Sequence, residues 1–223
     1  MCGRFTLATD LATLKGVFYL QNNIFDYIPR YNIAPSQIIL AITGGLEDRM
    51  PNRMRWGLIP HWSQETKTSY KMFNARAETI DSKPAFRESF HQRRCLIPAD
   101  GFYEWVNKGG RKQPVRITIP GKPVFAFAGI WDSWLAPTGE KINSCSIITT
   151  TASKTFRAIH ERMPVILAHE QEHRNWLDYN RGDALKSLLQ PYNGEMEVYP
   201  VPLLVNSPKL DEPALIARLN DKD

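Results

Sequence analysis

The chain opens Met-Cys-Gly-Arg-Phe, and its second residue is the first that could do chemistry. Cysteine is small enough for a methionine aminopeptidase to remove the initiator before it, which would leave Cys2 as the N-terminal residue. It would then carry two nucleophiles on adjacent carbons. An α-amine has a pKa of about 7.7–8.0, against about 10.4 for lysine, so a sizeable fraction is unprotonated near neutral pH. A free thiol, near 8.5, is a few per cent thiolate without any activation. The amine can condense with an aldehyde to an imine. The tethered thiol can then close on that imine to give a five-membered thiazolidine.

Three other stretches put polar residues in apolar company, and a fourth matches a metal motif. In Tyr70–Thr79, Asn74, Arg76 and Glu78 share one face if the segment is extended. Glu104 lies between Tyr103 and Trp105, and aromatic surroundings would raise a carboxyl towards the range useful for general acid–base work. His160 and Arg162 close a helix-like stretch before Pro164. The fourth stretch, His169-Glu170-Gln171-Glu172-His173, fits the H-E-x-x-H zinc motif. Its context argues against that reading: Val165–Ala168 reads as a strand, so His169 falls at a helix start, with no third ligand at a useful spacing. The preferred reading is a charged first turn of a surface helix, and no metal or other cofactor is expected.

The elements that must position these residues are mostly β. Strand-like runs cover 37–43, 52–58, 94–99, 102–106, 114–119, 124–131 and 144–151, with a hairpin turning at Gly109-Gly110. Helical patterns cover 9–18, capped by Thr9, then 84–91, 153–160, 170–178 and 183–190. Many antiparallel strands with scattered short helices predict an α+β fold with a curved or barrel-like sheet. No repeat or linker divides the 223 residues, so one domain is expected.

Composition narrows the class. The chain is 43% hydrophobic and 23% charged, as in ordinary globular proteins. No signal pattern or membrane-spanning run is present, which gives a cytoplasmic expectation and no membrane partner. Cys2, Cys95 and Cys145 are too few and too widely spaced for a disulfide framework, and the last two sit in apolar runs as core thiols. Residues 1–120 hold 17 Lys+Arg against 10 Asp+Glu, while 121–223 hold 11 against 13. The basic first part is compatible with a polyanionic partner.

Taken in order, MCGRF, RYNIAP (30–35), RWGLIPHW (55–62), FNARAET (73–79), PADGFYEW (98–105) and IHERMP (159–164) resemble the SRAP family of SOS-response-associated peptidases, also called abasic-site processing proteins. The resemblance implies a covalent thiazolidine cross-link between Cys2 and the aldehyde of an abasic site in single-stranded DNA, once Met1 is removed. It further implies that Asn74 orients the cysteine and the sugar, that Glu104 is a general acid/base, and that His160 acts at the sugar oxygen. Arg4, Arg76, Thr149 and Arg162 are implied as DNA contacts, with Pro35 and Trp62 stacking on bases near the lesion. The resemblance also carries self-removal of Met1, a β-elimination at the abasic site, recruitment to the nucleoid on damage, and a monomer. Two alternatives remain open: a thiol peptidase using Cys2 and His160 on protein substrates, and noncovalent single-strand binding.

Overall fold

Gly109 and Gly110 have positive φ values of 60° and 82° and turn the chain between strands Gly101–Lys108 and Arg111–Thr118, with Lys108 opposite Arg111. Two central residues at positive φ match the twist of a hairpin, which is why glycine suits both. The computed structural model describes residues 2–21, 26–45, 48–66 and 69–219, without the side chains of Arg181 and Asp183.

Numbered along the chain, an antiparallel sheet contains β1 (Phe5–Leu7), β2 (Arg30–Ile33), β7 (Gly101–Lys108), β8 (Arg111–Thr118) and β13 (Glu197–Pro200), in the order β13-β8-β7-β1-β2. A second set closes on itself: β3 (Ile38–Thr43), β4 (Met50–Trp56), β6 (Arg94–Ala99), β9 (Phe125–Leu135) and β10 (Lys141–Thr151). Its pairs are antiparallel except for β4 with β10, so the ring is a mixed five-stranded barrel. The expected α+β class with a barrel-like sheet is what forms. Three short strands hang on this barrel: β5 (Asn74–Arg76) runs parallel to β10, β11 (Arg162–Pro164) antiparallel to it, and β12 (Ile166–Leu167) pairs with β9.

The N-terminal segment joins the sheet to the barrel. Phe5 of β1 meets Trp56 of β4 and Phe127 of β9 edge-on, with ring centroids 5.1 and 5.7 Å apart. Phe102 of β7 meets Phe127 at 5.9 Å. Such edge-to-face pairs add about 0.5–1.5 kcal/mol each beyond their burial.

Helices are peripheral. Helix α1 (Leu11–Phe18) is capped by Asp10, whose side chain accepts from Thr13 N at 2.9 Å. Thr9 is therefore not the cap; its N–H goes to Asp100 Oδ2 at 2.8 Å. Helix α2 (Pro84–Gln92) starts on a proline and α3 (Glu170–Leu177) on His169. Arg94, fully buried, donates to Phe90 O and His91 O and to Trp176 O and Asp178 O at 2.7–3.0 Å, so one guanidinium closes the C-terminal ends of α2 and α3. The expected helix at 153–160 is a single 3-10 turn, Phe156–Ala158. Its threonine, phenylalanine and isoleucine are poor helix formers in too short a run to sustain one. The expected helix at 183–190 is a run of 3-10 turns, Tyr179–Leu188, broken at Gly182 (φ 52°). Among the described residues no helix is long and apolar enough to cross a membrane.

One carboxylate fixes the start of the chain. Asp100 accepts from the Thr6 hydroxyl and from the backbone N–H of Ala8 and Thr9, and pairs with Arg116 Nη2 at 2.9 Å. Arg116 also donates to Tyr199 Oη at 2.7 Å and packs so closely that a Cβ on Gly101 would lie 2.7 Å from its Nε. Both partners are about nine-tenths buried. Asp100→Ala leaves a buried guanidinium and two backbone N–H groups without their acceptor, and should cost about 3–5 kcal/mol. Urea unfolding of the purified variant measures this, and a loss below about 1 kcal/mol would show that the network is dispensable.

Candidate active site

Cys2 precedes β1 and is fully buried. Asn74 Nδ2, on β5, donates to the Cys2 carbonyl at 2.8 Å and so fixes the residue's backbone. Asn74 Oδ1 is buried without a hydrogen-bond partner among the described residues, an acceptor available to an incoming donor. Burial pushes the Cys2 thiol above its ordinary pKa, and the nearby Glu104 carboxyl pushes it the same way. This thiol is therefore held in its protonated form. Met1, whose removal would free the α-amine, lies outside the described residues.

Glu104 is 5% exposed on β7, and burial raises its pKa, with His160 acting in the opposite sense. The direction matches the sequence expectation, but its cause differs. Side chains alternate along β7, so Tyr103 and Trp105 point into a separate cluster with Tyr199, Val201 and Val205. Glu104 shares the opposite face with Phe102, which belongs to the main core. The depth of β7 in the molecule desolvates the carboxyl, not its sequence neighbours.

His160 follows the 3-10 turn at 156–158, and its Nδ1 accepts the N–H of Arg162 at 2.9 Å. That bond turns the imidazole back on β11. The C-terminal part of β10 lies between β5 and β11: Thr149 is opposite Arg76 on one side and Pro164 on the other. Cys2, Asn74, Glu104 and His160 thus form one group, bordered by Arg76, Thr149 and Arg162.

The remaining residues differ in exposure and in their partners. The extended stretch ends at Arg76, and Glu78 lies in a 3-10 turn, Ala77–Thr79, where it pairs with Arg162 at 2.9 Å. Arg76 is exposed. Thr149 is fully buried and receives Arg162 Nη2 on its carbonyl at 2.7 Å and its hydroxyl at 3.2 Å. Arg4 is half-buried; its Nη1 donates to Asn32 Oδ1 and Val205 O at 2.7 and 2.6 Å, and its guanidinium lies 5.8 Å from the Trp105 ring centroid. In this state Arg4 is a strut that ties the N-terminal segment to β2 and the 203–206 turn. Pro35 is partly buried after β2. Trp62 is 58% exposed on a loop held at both flanks, with His61 N and Nδ1 on Asp132 Oδ2 at 2.9 and 3.0 Å and Trp134 Nε1 on Ser63 O at 2.7 Å. Asp132, Asn32 and Asp100 are positioning residues that sequence reasoning missed. Of these, Asn32 lay inside RYNIAP and Asp100 inside PADGFYEW, while Asp132 lay in none of the motifs.

The H-E-x-x-H match resolves as a helix start. His169 is the N-cap of α3, and Glu172 Oε2 accepts the N–H of His169 at 2.9 Å. His173 is buried with Nε2 on Leu167 O at 3.1 Å, and Glu170 holds Arg49 through both oxygens. Among the described residues no group of His, Cys, Asp or Glu could hold a metal ion. Cys95 and Cys145 are buried thiols with pKa values raised by burial, as expected for core cysteines. A groove of about 220 Å³ between Tyr27, Ile33, Ile38 and Leu40 takes none of its lining from the Cys2 group.

A family profile described as SOS response associated peptidase (SRAP) matches residues 1–208. The chain belongs to the SRAP family. It is 45% identical over 222 residues to the abasic site processing protein YoqW of Bacillus subtilis, covering 97% of this chain and 99% of that one. It is 34% identical to the abasic site processing protein HMCES of Xenopus tropicalis, over 86% of this chain and 67% of the relative. A crystal structure of a protein from Bacteroides thetaiotaomicron superposes with a TM-score of 0.87 at 30% identity, covering 98% of this chain and all of that one.

Glu104 gives the SRAP site a pH signature. Below its unfolded value of about 4.3 the carboxyl is protonated in both states and adds no difference. Above it the unfolded chain releases the proton first, so stability falls as pH rises towards the raised folded value. Glu104→Gln stays neutral and escapes this loss. Its melting temperature should equal that of the unsubstituted protein near about pH 4 and exceed it at neutral pH; lower stability at neutral pH would contradict the assigned burial.

Proposed function

We propose that this protein processes abasic sites in single-stranded DNA by covalent capture on Cys2. The carrying observation is the grouping of a buried Cys2 with Asn74, Glu104 and His160, supported by SRAP relatives named for abasic-site processing. With Met1 removed, the Cys2 amine adds to the C1′ aldehyde of the ring-opened sugar, and the carbinolamine loses one water to give an imine. Sulfur then bonds to the imine carbon, and the thiol proton ends on nitrogen.

Glu104, raised by burial, delivers a proton to the departing hydroxyl while the amine is neutral. Asn74 Oδ1 accepts from the amine or a sugar hydroxyl. His160 moves the proton at the sugar ring oxygen, which governs ring opening and, in reverse, release. The imine also acidifies the C2′ protons; loss of one with rupture of the C3′–O bond would cleave the strand. Arg76 and Arg162 take backbone phosphates, a damage-independent contact. The exposed Trp62, with Pro35, offers a surface on which bases stack.

The second reading, a thiol peptidase acting through Cys2 and His160, needs an ionised thiol in electropositive surroundings. Burial and the Glu104 carboxyl push the Cys2 thiol the other way.

The test uses an oligonucleotide carrying one abasic site. Cys2→Ala keeps the amine and loses closure, so the heat-stable adduct should disappear while an imine trappable by borohydride remains. An undiminished stable adduct would exclude the thiazolidine. Glu104→Gln should slow adduct formation by about 10²–10⁴-fold with affinity for undamaged strands intact. His160→Gln should slow adduct reversal more than adduct formation. Unchanged rates in both variants across pH 6–8 would remove these two assignments.

A further inference from the structure

Arg162 does not present an open fork. Its Nη1 and Nη2 donate to the two carboxylate oxygens of Glu78 at 2.9 and 3.0 Å, and Nη2 also reaches Thr149. Carboxylate and phosphate offer arginine the same pair of acceptor oxygens, which is why both bind it side-on. Glu78 thus stands where a backbone phosphate would.

The two partners differ in freedom. The Arg162 side chain is 16% exposed and anchored by the Thr149 carbonyl, whereas Glu78 is 46% exposed, with the Thr151 hydroxyl at 3.3 Å and its own backbone N–H as further partners. Glu78 is the partner able to leave. It is two positions beyond Arg76, which is exposed and makes no ion pair among the described residues. One short segment therefore carries both an open cation and the anion that closes the neighbouring one.

We infer that Glu78 is an internal competitor for the phosphate position at Arg162, and that it weakens the hold on undamaged single strands. The inference rests on the reading of Arg162 as a phosphate contact. When a phosphate arrives, the Glu78 carboxylate swings into water and regains its own counterions. Exchanging one anion for another adds little affinity and little net counterion release. Noncovalent encounters with intact DNA stay short, while an abasic site is retained by the covalent bond to Cys2. Glu78 is in this sense a specificity-determining residue: it lowers the background that the covalent step must beat.

Glu78→Gln keeps the shape and removes the charge. Binding of an undamaged single-stranded oligonucleotide should tighten about two- to fivefold at low salt, the range spanned by exposed ion pairs. The slope of log affinity against log salt should steepen by about 0.7, one phosphate contact on a single strand. Glu78→Ala should move both quantities in the same direction, and thermal melts confirm that each variant is folded. In an Arg162→Ala background, Glu78→Gln should change neither quantity. Weaker or unchanged binding by Glu78→Gln, while Arg162→Ala alone still weakens binding, overturns the inference and makes Glu78 an orienting partner of Arg162. If adding Arg162→Ala to Glu78→Gln leaves affinity and slope unchanged, the phosphate reading itself is overturned, and the inference with it.

Discussion

The position of Cys2 depends on what Asp100 holds. This nearly buried carboxylate binds the Thr6 hydroxyl and the N–H groups of Ala8 and Thr9 while paired to Arg116. Those bonds fix the segment after Cys2 against β7, the strand that carries Glu104. Phe5, wedged between Trp56 and Phe127, fixes the same segment against the barrel. A chain terminus is ordinarily the first part of a protein to fray. Here it is held from the sheet side by charge-assisted hydrogen bonds and from the barrel side by aromatic packing. Asn74 adds the last constraint at the Cys2 carbonyl.

The same anchoring accounts for the electrostatics. A terminal thiol in water would sit near 8.5, but this one is buried beside a carboxyl that is itself desolvated, and both are pushed towards their neutral forms. Such a pair is poorly suited to a free thiolate. Arg76 and Arg162 stand at the edge of the group, on β5 and β11. Both Nη groups of Arg162 are occupied by Glu78 and Thr149, so its fork is not an open anion trap.

The long elements were legible in the sequence because they are runs long enough to carry a composition. The apolar and β-branched runs over 94–99, 102–106 and 144–151, the two glycines of the hairpin, and the proline-started helix at 84 each left a local signal that survives folding. The site stands largely on elements without one. β1, β5 and β11 are three residues each, too short for a period of two to rise above chance, and β4 beside β10 is a parallel contact between distant segments. The ordered motifs marked these places through their residue types, without revealing their pairing. Glu104 shows the limit well. Its flanking aromatics suggested a reason for its raised pKa, yet they face a different cluster, and only the fold shows that β7 buries the carboxyl. For Arg4 the sequence carried no sign of its bonds to Asn32 and Val205, which join segments 28 and 201 residues apart.

The account stands on Cys2 acting through both its amine and its thiol, and intact mass spectrometry reads that chemistry most directly. The purified protein is weighed alone and after incubation with a single-stranded oligonucleotide bearing one abasic site. The predicted protein lacks the mass of Met1, and the adduct equals protein plus oligonucleotide minus one water, unchanged in mass by borohydride because the thiazolidine has no double bond to reduce. An adduct on protein that still carries Met1, or one that gains two hydrogens with borohydride throughout, would contradict it.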